Sequence, residues 1–120
     1  MERTAAVATM LIDNDRVRVT RFDFAPGAET TWHRHEHDYV ITAITDLNMR
    51  LEEPGNTERE VTVTAGEAYF RNVGVEHNVI NMGSEPMSFV EVELKYISLA
   101  PLQKGCQDKP VGRSVDSFGG

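Results

Sequence analysis

His33 and His35 stand one residue apart in the run TWHRHEHDYV, and His77 follows in a segment marked by glycines. Side chains two positions apart on a β-strand leave the same face, so His33 and His35 can aim two imidazoles at one point. A third imidazole from a neighbouring strand completes a facial set of three nitrogens. Such a set leaves coordination positions open, as catalytic metal sites require. Three neutral imidazoles leave the full double positive charge on a divalent ion. The site should therefore draw a small anionic molecule, such as a carboxylate, an enolate or a β-diketone-like group. The ion would act as a Lewis acid or as the binding point for dioxygen. Iron, nickel, manganese, zinc and copper all accept imidazole, so the expectation is one divalent transition metal per chain. Ligation needs deprotonated imidazoles, and occupancy is expected to fall below about pH 6.

An isolated H-x-H pair is also what surface or core histidines on a strand would give, so the neighbours matter. His37 keeps the parity of His33 and His35. Three alternating residues span about 13 Å along a regular strand, too far for one ion. His37 is therefore expected to contact substrate or to lie on the surface. Tyr39 carries a phenol able to donate a hydrogen bond to substrate or dioxygen. The competing expectation is a packed aromatic at the mouth of a barrel. Glu36 and Asp38 have the opposite parity and are read as solvated, unless a bend at Asp38 brings it inward. Asn81 is expected to make structural hydrogen bonds. Trp32, Phe22, Phe24, Phe70 and Phe89 are read as core, and Met49, Met82 and Met87 as gap-fillers within it.

The elements that must position these residues are short β-segments between turn signals. Val7 to Ile12 reads as a first strand. Arg16 to Phe24 alternates, with a slip near Thr20 that suggests a bulge. Thr31 to His37 carries the histidines, and Tyr39 to Thr45 is rich in β-branched residues. Leu47 to Leu51 and Glu60 to Thr64 flank the turn Glu53-Pro54-Gly55-Asn56. Ala68 to Arg71 and Glu76 to Asn81 follow, and Met87 to Ile97 closes the series. In that last strand Val90, Val92 and Leu94 share one face, and Glu91, Glu93 and Lys95 share a solvated one. Gly27, Gly66 and Gly74 fit turns of positive φ. No segment shows sustained helical periodicity. Nine or ten strands separated by short turns imply an all-β sandwich or barrel.

The chain has 120 residues, of which 40% are hydrophobic and 26% charged. That suits one domain with one core, over residues 1–100, followed by a poorly ordered tail over 101–120. A net charge of −7 argues against a nucleic-acid partner. Cys106 is the sole cysteine, so no intrachain disulfide can form, and a cytoplasmic location is expected. No apolar run approaches the roughly 20 residues of a membrane helix, and none near the start suits a signal peptide.

Two segments resemble the paired motifs of the cupin family. In the first, Gly27 is followed by five residues and then His33, Arg34 and His35. In the second, Gly66, Asn72, Gly74, His77 and Asn81 reproduce the family spacing, with Asn72 where the family carries proline. The resemblance implies a small double-stranded β-helix, or jelly roll, in agreement with the strand count. The glutamate of the first family motif would fall at Tyr39 or Val40, so the fourth ligand is missing. The remaining trio resembles cupins that hold metal with three histidines alone, such as acetylacetone dioxygenase and cysteine dioxygenase. More loosely, WHRHEHDYV is similar to small cupins attached to β-alanine degradation. The resemblance implies a metal-dependent enzyme, dioxygenase-like, acting on a small anionic molecule. A non-catalytic binding or sensing protein, and an isomerase or lyase using the same site, are the alternatives. It also implies a homodimer, for which Val7 to Ile12 offers an edge strand.

Overall fold

The computed structural model describes residues 3–95. Among the described residues nine strands follow one another without a helix: β1 (Val7–Asp13), β2 (Val17–Phe24), β3 (His33–Arg34), β4 (Asp38–Ala43), β5 (Leu47–Glu53), β6 (Thr57–Val63), β7 (Ala68–Arg71), β8 (Glu76–Asn81) and β9 (Met87–Leu94). They form a five-stranded sheet in the order β1-β2-β9-β4-β7 and a four-stranded sheet in the order β3-β8-β5-β6. Every strand pair is antiparallel. Sequence neighbours β2 and β3, and β4 and β5, lie in different sheets. The chain thus rolls the two sheets over one core as a jelly roll, the expected all-β architecture. Among the described residues no helix is long and apolar enough to cross a membrane.

The strands lie where alternation and turn residues place them. Pro54-Gly55-Asn56 closes the β5–β6 hairpin, with Gly55 and Asn56 both at positive φ (81° and 60°). Gly27, Gly66 and Gly74 take φ of 83°, 91° and 97°, as anticipated. The bulge is on the other strand of its pair. Met10 faces Thr20 and Ile12 faces Val19, so the extra residue is Leu11 in β1. The final strand is described through Leu94, and the expected tail over 101–120 lies outside the described residues.

Cross-strand register grades the inner face of the larger sheet from apolar to polar. At one end Phe22 faces Phe89, which faces Ala43, and Phe24 faces Met87. The rings of Phe22, Phe24 and Phe89 pack with centroids 5.4 to 6.5 Å apart. Two residues further along, the row is Thr20, Glu91, Ile41 and Tyr69. The last row is Arg18, Glu93, Tyr39 and Arg71. This overturns the solvated reading of Glu91 and Glu93. Met87 and Phe89 are 2% and 4% exposed and set the phase of β9, so Glu91 and Glu93, of the same parity, also point inward. Val90, Val92 and Leu94 lie on the outer face, half-buried.

Two further core expectations are corrected. Trp32 is 50% exposed, because it has the opposite parity to the inward His33 and no layer covers it. Met82 is exposed in the turn after β8. Asn81, by contrast, takes its expected structural role. Its amide nitrogen donates to the carbonyls of Phe24, Ala25 and Glu85, and its Oδ1 accepts from the Gly83 amide.

Candidate metal centre

The histidines meet because β3 pairs with β8. His33 lies directly opposite His77, and Arg34 opposite Glu76. The ladder runs one residue past β3: the His35 amide donates to the Val75 carbonyl at 2.8 Å, and the Gly74 amide donates to the His35 carbonyl at 2.9 Å. Gly74 needs its positive φ for this return, which an L side chain would strain. The chain then bends at Glu36 and His37 before entering β4. His33 and His35 therefore share a face over a very short span.

The Nε2 atoms of His33 and His35 are 3.1 Å apart, and those of His35 and His77 are 3.2 Å apart. The three rings stand nearly perpendicular to one another, with interplanar angles of 76°, 72° and 86°. Imidazole nitrogens bound at about 2.1 Å to one ion stand about 3.0 Å apart at right angles and about 3.4 Å apart in a tetrahedron. The observed spacing falls between these values, so the trio could hold a metal ion.

Two of the rings are held in place by neighbours. A backbone carbonyl only accepts, so Nδ1 of His33 donates to the Thr31 carbonyl at 2.9 Å and leaves Nε2 with its lone pair. Thr31 sits at φ 77°, a rare conformation for a β-branched residue. Its amide donates to Oδ1 of the buried Asn78 at 2.8 Å, which holds that conformation in place. Asn78 is in turn fixed by Nδ2 donating to Glu29 and Glu52. Tyr39 stacks flat on His35, with centroids 3.8 Å apart and planes 15° off parallel, and so sets the plane of that ring. Nδ1 of His77 is buried without a hydrogen-bond partner.

Burial, followed by the charge of His33, pushes His35 down to about 3. Burial, followed by His33 and His35, pushes His77 down to about 3 as well. Both rings are therefore neutral at physiological pH.

The trio opens into a cavity of about 460 Å³. Of the other residues singled out in the sequence, His37 lines the cavity half-buried but lies apart from the nitrogen cluster. Tyr39 also lines it. Its hydroxyl is buried and unpartnered, and burial raises its pKa, so the phenol keeps its proton. Asp38 accepts from the Val73 amide at 2.7 Å. Sequence reasoning missed Thr31, Asn78, Arg18 and the inward carboxylates Glu91 and Glu93. A signal existed for the last pair in the parity of Met87 and Phe89. A ring nitrogen of His35 and one oxygen from each of Glu91 and Glu93 lie within 4.8 Å of one another.

Comparison with known proteins agrees with this architecture. The cupin domain family profile matches residues 20–93. The beta-alanine degradation protein BauB of Pseudomonas aeruginosa is 52% identical over 93 residues, covering 78% of this chain and 97% of that one. The crystal structure of a cupin domain from Bordetella pertussis Tohama I superposes with a TM-score of 0.77. It is 46% identical and covers 80% of this chain and 99% of its own. An uncharacterised double-stranded β-helix protein from Klebsiella pneumoniae shares the fold at 22% identity, with a TM-score of 0.63 over 76% of this chain and 77% of its own.

Proposed function

This chain belongs to the cupin family, and from that premise we propose that it is a metal-dependent enzyme acting on a small anionic organic molecule. The observation that carries the reading is the convergence of three Nε2 atoms, 3.1 and 3.2 Å apart, at the wall of a cavity. His33, His35 and His77 are the proposed ligands of one divalent transition metal. When bound, that ion supplies a Lewis-acidic centre with open positions. Thr31 and Asn78 orient His33, and Tyr39 orients His35. The protonated Tyr39 hydroxyl, with no partner of its own, is the proposed donor to an oxygen of the ligand, and His37 the proposed contact at the rim. A cavity of about 460 Å³ is within the usual range for a small-molecule site. The name of the Pseudomonas aeruginosa relative concerns β-alanine degradation. We extend that setting to this chain, in the cytoplasm, where a sole cysteine fits a reducing environment.

The preferred reaction class is dioxygenation, from the resemblance to three-histidine cupins. A second reading, isomerase or lyase chemistry at the same centre, is favoured by a specific observation. Burial and then Glu93 raise the Glu91 carboxyl to about 7, a value suited to proton transfer. An oxygen electrode separates the two, using protein reconstituted with Fe(II) and a panel of short carboxylates and β-diketones. Substrate-dependent oxygen uptake supports the dioxygenase, and turnover without uptake supports the second reading. Tight binding with no turnover of any compound would contradict an enzyme and leave a binding protein.

We also propose a homodimer built on β1. All seven of its residues are exposed, including Val7, Met10, Leu11 and Ile12, on an edge strand with one free side. Pairing across a two-fold axis would cover that edge.

A further inference from the structure

The inward face of β9 holds two carboxylates for which three-histidine metal binding has no use. Glu91 is 8% exposed and borders the cavity. Among the described residues its carboxylate makes no hydrogen bond and no ion pair. The guanidinium of Arg18, on the same inner face, attracts Glu91 but makes its direct contacts elsewhere. Its Nη1 donates to Oε1 of Glu93 at 3.2 Å, and its Nε lies 3.7 Å from Oδ2 of Asp13. Arg71, the other cation in these rows, acts on His35, His77, Tyr39 and Tyr69. Two carboxylates thus share one guanidinium, which itself leans on a third. A buried carboxylate with no ion pair of its own is costly, and a cation brought in from outside relieves that cost.

This acidic pole adjoins the histidine pole within one cavity, since the carboxylate oxygens and a ring nitrogen of His35 fall within 4.8 Å of one another. The same cavity has an apolar wall in Phe22, Ile41, Met49 and Phe89. We infer that the ligand is a small zwitterion, a short-chain amino acid whose carboxylate goes to the histidine pole and whose ammonium goes to Glu91 and Glu93. This rests on the metal-centre reading and narrows its anionic ligand. An ammonium has three donors, enough to serve both carboxylates at once. The methylene chain lies against the apolar wall, and the closeness of the poles limits that chain to a few carbons.

The test is calorimetric titration at pH 8 of the full chain loaded with Zn(II), an ion without redox chemistry. The probes are β-alanine and propionate, which differ by the ammonium alone. Zinc stoichiometry is measured first, in the same instrument. The expected result is one zinc per chain and β-alanine bound about tenfold or more tighter than propionate, a charge-assisted hydrogen bond's worth. In Glu91→Gln the zinc stoichiometry stays and that preference disappears. Absence of zinc uptake overturns the metal-centre reading and this inference with it. One zinc bound, with propionate equal to or tighter than β-alanine or with neither bound at millimolar concentration, overturns the zwitterion alone. So does a second zinc per chain that Glu91→Gln abolishes, because the acidic pole would then be a metal site.

Discussion

Glu91→Gln should make the metal-free protein more stable, by an amount that grows as pH rises from about 4.5 to 7. The carboxyl is held at about 7 by burial and by Glu93, against 4.5 for an unperturbed glutamate. Its folded-state pKa is thus raised, so between pH 4.5 and pH 7 the folded chain holds a proton that the unfolded chain has released. Stability falls as pH rises through that window. At about 1.4 kcal/mol per tenfold change in proton affinity, the full cost at pH 8 is about 3 kcal/mol. Glutamine mimics the protonated acid in shape and removes the charge. Urea unfolding of chelator-treated protein at pH 5 and pH 8 reads the effect, and the difference between wild type and variant cancels the titration of distant groups. The expected gain for the variant is below about 1 kcal/mol at pH 5 and about 2 to 3 kcal/mol at pH 8. An equal difference at both pH values, or a wild type more stable than the variant at pH 8, would refute the reasoning. Glu91 would then have a favourable partner.

Other perturbations follow from the same geometry. Asn78→Ala removes the acceptor that fixes the Thr31 amide, and with it the hold on His33. It should weaken zinc binding about 10- to 100-fold in competition with a chromophoric chelator, and unchanged affinity would remove Thr31 and Asn78 from the account. His35 and His77 have folded-state pKa values lowered to about 3 from 6.5, so their stabilising effect is complete above pH 6.5 and lost as pH falls. Each should contribute a slope of about 1.4 kcal/mol per pH unit below pH 6.5 in metal-free protein, and His77→Gln should remove one such contribution. Met10→Lys, at an exposed position on the free edge of β1, should convert the dimer to monomer in sedimentation. A wild type that is already monomeric at micromolar concentration would refute the dimer.

Much of this was legible in the residues, for reasons that differ from part to part. The strands announce themselves because turn chemistry is local: Pro54-Gly55-Asn56, Ala65-Gly66 and Met82-Gly83-Ser84 each fall between strands. The three histidines were legible because strand parity turns a spacing into a direction, and because the segment through Gly74 brings β8 alongside β3. Glu91 and Glu93 were misread because Val90, Val92 and Leu94 look like an inward stripe. The true phase is set upstream, by Met87 and Phe89, and it runs from the core into a polar cavity. Trp32 and Met82 show that hydrophobic identity is not location, since much of a folded surface is apolar. The positive φ of Thr31 had no local signal. It opposes the preference of a β-branched residue, and the Thr31 amide is held by Asn78, distant in sequence.

The central claim, that His33, His35 and His77 together hold one metal ion, is tested most directly by elemental analysis. The protein should be purified without a histidine tag or added metal, beside His77→Ala. The account predicts about one divalent transition metal per chain, lost in the variant. Metal-free protein that takes up none on reconstitution, or a variant that keeps its full complement, would contradict it.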